Sequence, residues 1–411
     1  MATILAYTSP ALGHALPIGA QLSELAHRGH EIHLRTLRAG AETGQRLGFI
    51  TDTIDPRIEA IEHDDWKATK APDGLKRAFT VFGRRAPLEV SDLADAVEHV
   101  KPDALLVDVL CWGALSAVEA GDLPWACFSP FTPLLRAEGM PPFGPGLKPL
   151  PNILGRVRDA VLRTMMSGTV NSGLPALNAV REDLGLAPVR SMDEFWRRAP
   201  LMLVASGKPF EYQHADYGDA VQMIGPCALD PGSDRVPDWL ASIDRPIVLV
   251  TTSSEKQGDD TLVQTAMAAL ADEPVHVVAT LPAGEPDEVP TTSNATVCRL
   301  VPHGPVLDRA LCAVTHGGMG ATQKALARGV PVCVVPFGRD QFEVAQRVEV
   351  ARCGTRLPAK KLSAERLRAK VREAMTMSDG ARRVAEGFAA TGGVARGADL
   401  FEQRVLGLRV S

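Results

Sequence analysis

The run AVTHGGMGATQKALARGVPVCVVPFGRDQ, residues 313–341, decides how the rest of the chain is read. It opens on an apolar stretch that stops at His316. Gly317, Gly318 and Gly320 follow, then a helix-like segment at about 320–328. A second apolar run, VPVCVVP (330–336), leads to Asp340 and Gln341. Strand, glycine turn, helix and strand make the βαβ unit of a parallel sheet. In open sheets of that kind, ligands gather beyond the carboxyl ends of the strands. The glycine turn stands at such an end and opens a helix. The first N–H groups of a helix lack intrahelical partners and favour an anion. The turn therefore suits a phosphate or pyrophosphate, with His316 as a further donor. It is neither G-x-G-x-x-G nor a P-loop, and tight helix–strand packing is the competing explanation of its glycines. A carboxylate beside a carboxamide, Asp340 with Gln341, suits a ligand carrying vicinal hydroxyls. An acid capping the next helix is the plainer alternative.

Outward from this run the same alternation covers the chain. TILAYT (3–8), HEIHLRT (30–36), DALLVDV (103–109), LPWACFS (123–129) and APLMLVAS (199–206) read as strands, with a helix from about Pro17 to Arg28 after the first. IVLVTT (247–252), VHVVAT (275–280), ATVCRLV (295–301) and CAVTH (312–316) continue the series. The stretch 224–246 is rich in Pro, Gly and Asp and separates two such series. The expected fold class is α/β, with a first domain over 1–225, a linker over 226–245 and a second domain over 246–395, each built on a mostly parallel sheet. The segment FTPLLRAEGMPPFGPGLKPLP (131–151) is apolar and rich in Pro and Gly, the composition of a loop that lines a binding site.

A net charge of −5 with dispersed Lys and Arg speaks against a nucleic-acid partner. The longest apolar runs fall short of a membrane span, and the N-terminus reads as a first strand rather than a signal peptide. Seven scattered cysteines read as buried thiols in a reducing cytoplasm.

The block from VTTSS (250–254) to RDQF (339–342), with GHALP (13–17) and LAHRGHEIHLRT (25–36), resembles the family 1 glycosyltransferases, the UDP-glycosyltransferase superfamily of GT-B fold, in their actinobacterial natural-product form. The resemblance implies two Rossmann-like domains facing across a cleft, donor sugar in the second and acceptor in the first. The tail 396–411 would cross back to the first domain. It also implies site residues. Ser253, Ser254, His316, Gly318, Met319, Gly320, Ala321 and Thr322 would hold the diphosphate. Val301 and His303 would place the base, and Asp340 and Gln341 would read the sugar. No cofactor and no metal are expected, the co-substrate being a UDP-sugar or dTDP-sugar. The chain departs from the family pattern at Leu300, Ser253 and Lys324, where many members have Trp, Gly and Glu; the choice of nucleotide stays open.

Sugar transfer to a hydroxyl needs a base. His14 follows the first strand and Asp108 ends another, so a His–Asp dyad at the cleft edge is the candidate, against a surface or capping role for each. Trp66, Phe79, Phe82, Trp112, Phe128, Phe131 and Phe143 fall in segments read as loops or strand ends and are candidates for an apolar acceptor wall, against ordinary core roles. His63-Asp64-Asp65 and Asp259-Asp260 read as solvated charges. The expected activity is an inverting, metal-independent hexosyl transfer to a hydrophobic small molecule, by a monomer or homodimer. A nucleotide-sugar epimerase and a non-catalytic sugar-nucleotide-binding partner are the alternatives.

Overall fold

Apolar runs of four to six residues, buried on both faces, are the signature of parallel sheet, and each such run of the sequence joins one of two parallel sheets. The computed structural model describes residues 1–68, 71–230 and 236–408. The first sheet holds β1 (Thr3–Tyr7), β2 (Glu31–Thr36), β3 (Ile50–Thr53), β4 (Ala104–Asp108), β5 (Trp125–Ser129), β6 (Met202–Val204) and β7 (Val221–Met223), in the order β3-β2-β1-β4-β5-β6-β7. The second holds β8 (Ile247–Thr251), β9 (His276–Thr280), β10 (Ala295–Cys298), β11 (Ala310–Thr315), β12 (Val332–Val334) and β13 (Gly354–Arg356), in the order β10-β9-β8-β11-β12-β13. All strand pairs in both are parallel.

Each order reverses direction once, between β1 and β4 in the first sheet and between β8 and β11 in the second. Side chains beyond the carboxyl ends of those four strands are the ones a doubly wound sheet presents to a ligand. His14 follows β1, Asp108 ends β4, Ser253 follows β8 and His316 follows β11.

Two elements differ from the sequence reading. The first helix spans Leu12–His27 with Pro17 inside it, so His14 lies in its first turn and not in a connecting turn. Residues 71–100 form one helix despite Gly74, Gly83 and Pro87, because burial against the helix Trp112–Ala120 outweighs weak local propensity. Phe79 and Phe82 are therefore helical, not loop, residues.

The helix Gly393–Arg404 packs on the first domain. Phe401 is fully buried in the cluster of Ile4, Leu22 and Phe128, and Arg28 bonds Asp399 and Glu402 at 2.7 and 2.8 Å. Of the linker 226–245, residues 231–235 lie outside the described residues, as do 409–411 of the tail. Among the described residues no helix is long and apolar enough to cross a membrane.

Candidate active site

Asp108 has no exposed surface. Its Oδ1 accepts from the Leu110 amide at 2.9 Å, which fixes the carboxylate. Its Oδ2 lies 2.7 Å from His14 Nδ1. A carboxylate only accepts, so Nδ1 carries the proton and Nε2 keeps its lone pair. Burial pushes the imidazole pKa down, but the Asp108 charge and hydrogen bond more than offset it and hold it above 6.5; Glu255 and Asp340 of the second domain add to the rise. The imidazole therefore feels carboxylates from both sides of the inter-domain gap.

On the opposite wall, Gly317 takes φ +96° and Gly318 caps the helix Met319–Leu326. A side chain on Gly318 would overlap the His316 ring. The amides of Met319, Gly320 and Ala321 have no intrahelical acceptor, and the space beside Gly320 is open. Thr322 differs from expectation. Its amide bonds Gly318 O at 3.1 Å and its hydroxyl is buried against Thr315, so it braces the turn. His316 is buried, with Nδ1 unpartnered among the described residues and 3.9 Å from Asp259. Burial lowers its pKa despite that carboxylate, leaving a neutral ring.

Ser253 is buried and its hydroxyl accepts from the Glu255 amide and from Gln257 at 3.1 and 2.9 Å, whereas Ser254 is exposed. Asp340 is half-buried, its charge reaches His14, and burial raises its pKa. Gln341, expected to read sugar hydroxyls, is engaged within the protein. Its Oε1 accepts from the Phe337 and Gly338 amides at 2.7 and 3.0 Å and its Nε2 donates to Gln257, so the oxygen braces its own turn and one N–H ties it to the loop after β8.

Val301 is nearly buried and Leu300 is 71% exposed. The His303 and Gly304 amides are capped by Asp230 at 3.2 and 2.6 Å, so the His303 amide is already taken. Asp230 also receives Lys324 at 2.9 Å, which neutralises the cation that stands where many family members carry an acid.

The aromatic candidates divide. Phe131 meets the His14 ring edge-on at 5.6 Å, and Phe143 is half-buried in the same loop. Trp66 is partly exposed, with Lys256 of the second domain 5.7 Å from its ring centre. Phe79, Phe82 and Trp112 pack on one another at 5.4–6.4 Å and Phe128 is fully enclosed under the sheet. These four are core: the first three find more apolar contact with one another than a cleft offers, and Phe128 packs in the separate cluster that holds Ile4, Leu22 and Phe401.

Sequence reading missed a charge cluster across the gap. Asp65 and Asp259 are buried, not solvated. Asp65 takes two bonds from Arg339, at 2.8 and 2.9 Å, and Arg339 also reaches Glu255 at 2.7 Å. Arg339 adopts φ +51°, uncommon for a side chain this bulky. His63 beside them is pushed down to about 4 by burial and then by Arg85 and Arg339. Only the adjacency of Arg339 to Asp340 hinted at this; its partner lies 274 residues away.

Residues 264–394 match the model of the erythromycin biosynthesis protein CIII-like C-terminal domain. Over 420 residues the chain is 30% identical to 4'-demethylrebeccamycin synthase of Lentzea aerocolonigenes, covering 98% of this chain and 99% of that protein. It is 25% identical to demethyllactenocin mycarosyltransferase of Streptomyces fradiae, over 98% of this chain and 86% of the other. The crystal structure of a calicheamicin glycosyltransferase superposes with a TM-score of 0.75 at 22% identity, covering 100% of each chain.

Proposed function

Given that the chain belongs to the glycosyltransferases of actinobacterial natural-product pathways and has their GT-B fold, we propose that it transfers a hexose, with inversion, from a nucleotide diphosphate sugar to a hydroxyl of an apolar small molecule. The observation that carries this reading is the His14–Asp108 bond of 2.7 Å at the switch point of the first sheet, opposite the helix start of the second.

In the proposed step, Nε2 of His14 takes the acceptor proton. The acceptor oxygen forms a bond to the anomeric carbon as the bond from that carbon to the phosphate oxygen breaks. The nucleoside diphosphate leaves with the electron pair, and single displacement inverts the centre. Asp108 holds the tautomer and stabilises the imidazolium. The Met319, Gly320 and Ala321 amides, with neutral His316, receive the charge that develops on the leaving group. This arrangement supports departure without a metal. Asp340 favours a sugar with intact hydroxyls. The acceptor class is inferred from Phe131 beside the base and from relatives named for a rebeccamycin and a lactenocin compound.

The test is a transfer assay with UDP- and dTDP-sugars and a panel of polycyclic and macrolide alcohols, with the anomeric configuration of the product read by NMR. An α-linked donor giving a β-linked product supports the reading. Retention of configuration, or failure of every nucleotide sugar to raise the melting temperature, overturns it.

A further inference from the structure

The loop 131–151 begins at the proposed base and ends on the other domain. At its start, Phe131 packs against His14. At its far end, the amides of Gly144 and Gly146 both donate to Glu343 Oε1, each at 2.9 Å. The Gly146 carbonyl accepts from Arg356 at 3.1 Å. Gly146 itself has φ +59°, and a Cβ there would overlap the Phe342 carbonyl. Both peptide groups of one loop residue are thus held by the second domain, at a separation that glycine permits.

Glu343 is not a surface acid that happens to be near. It is buried, and its Oε2 accepts from Arg347 at 3.0 Å. Arg347 bonds Glu211 of the first domain at 2.7 Å, and Glu211 accepts from Ser206 at 2.9 Å. The Arg347 guanidinium lies 4.5 Å over the Tyr212 ring. Ser206, Glu211, Arg347 and Glu343 are each hydrogen-bonded within this buried chain, the condition under which such a network fixes one geometry rather than several. Glu343 is also three residues from Asp340, on the helix Gln341–Ala351 whose start faces the sugar position.

We propose that Glu343 is a positioning residue: it fastens the acceptor loop to the donor helix, so that the place of Phe131 and of the acceptor beside His14 is set by the domain that binds the sugar. The proposal rests on the functional reading above, in which 131–151 lines the acceptor site. It assigns to the loop's far end a function that its Pro-Gly composition does not suggest. An acceptor held by this loop is aligned to the anomeric carbon through one short path, the Gly146–Glu343 hydrogen bond and then three residues of backbone to Asp340.

The experiment compares Glu343→Ala, Glu343→Gln and Gly146→Ala with the full-length protein. Three quantities are read: hydrogen exchange at the Gly144 and Gly146 amides, KM for acceptor, and the dissociation constant of the nucleotide sugar by calorimetry. Glu343→Ala is expected to expose both amides and raise the acceptor KM about tenfold, with donor affinity within about twofold. Glu343→Gln keeps an acceptor oxygen and is expected to recover most of the loss. Gly146→Ala leaves the Glu211–Arg347–Glu343 chain intact and dislodges the loop from its other partner, so it is expected to reproduce the alanine phenotype. It also decides the matter if Glu343→Ala does not fold. Equal losses of donor affinity and acceptor KM, or an unchanged acceptor KM with both amides exchanging freely, overturn the proposal. Absence of nucleotide-sugar binding in the wild type would instead strike the functional reading alone.

Discussion

Two histidines lie beyond strands at the two switch points, His14 after β1 and His316 after β11, each near an aspartate. They have opposite electrostatics. His14 Nδ1 lies 2.7 Å from Asp108, and its pKa is held above 6.5 although burial alone would lower it. His316 Nδ1 lies 3.9 Å from Asp259, and burial prevails, so its pKa falls. The reason lies in what else each carboxylate does. Asp108 spends one oxygen on the Leu110 amide and aims the other at the ring. Asp259 gives its nearer oxygen to the Ser253 amide at 2.7 Å, and burial raises its own pKa. The same residue pair on the same architecture thus yields a proton acceptor on one wall and a neutral donor on the other. A charge–ring separation beyond hydrogen-bond reach is enough to change the outcome.

The largest expected effect removes the first ring. His14→Ala should lower kcat by about 10²–10⁴-fold, with the nucleotide-sugar dissociation constant nearly unchanged by calorimetry. Wild-type transfer after that substitution would dissolve the contrast between the two walls. Asp108→Asn should cost a comparable amount, up to about 10⁴-fold in kcat through the wrong tautomer, and it carries a pH signature. The base works as the neutral ring, so wild-type kcat/KM should rise with pH through a midpoint above 6.5. Without the carboxylate charge the midpoint should move to lower pH; a midpoint that stays put would show that Asp108 does not set it.

His316→Ala should be milder and of another kind. Donor KM should rise by about tenfold, the worth of one hydrogen bond to a charged group, with the pH midpoint unmoved. A shifted midpoint would make His316, not His14, the titrating group. The smallest effect is on stability and uses a third ring. Burial, then Lys324, pushes His303 down to about 4. Its folded pKa is depressed, so in the window from about 6.5 to about 4 the unfolded chain binds the extra proton and stability falls as pH falls. In His303→Asn the decline of Tm across that window should flatten by a few degrees. An identical decline in the variant would remove this ring from the account.

Strand positions were legible because a parallel strand buried on both faces must be almost wholly apolar, as ALLVD (104–108) and IVLVT (247–251) are. β3, with its polar ITDT, carries no such pattern and went unread. The long helix 71–100 was hidden because its glycines and Pro87 break the local signal that packing later overrides. His14 and Asp108 were legible since residues ending the strands beside a switch point have few other places to go. That Gln341 also braces its own turn was not legible, because an amide that holds its turn and one that holds a ligand have the same sequence. Phe79, Phe82, Trp112 and Phe128 were misjudged for a related reason: an aromatic ring packs equally well on a ligand or on another ring.

Periodicity and turn chemistry are local, so the amino-acid order alone determined two parallel sheets, a glycine turn opening a helix and the candidate His–Asp pair. Charge pairing across the inter-domain gap is not local. That Arg339 would bind Asp65 and that Glu343 would seize Gly144 and Gly146 were decided only when the two domains packed, and that Asp108 rather than Asp259 would touch its histidine only when each sheet assembled. Hydrogen bonds and ion pairs act over a few ångströms, and the sequence separations involved, 274, 199, 197 and 94 residues, carry no record of which groups will meet.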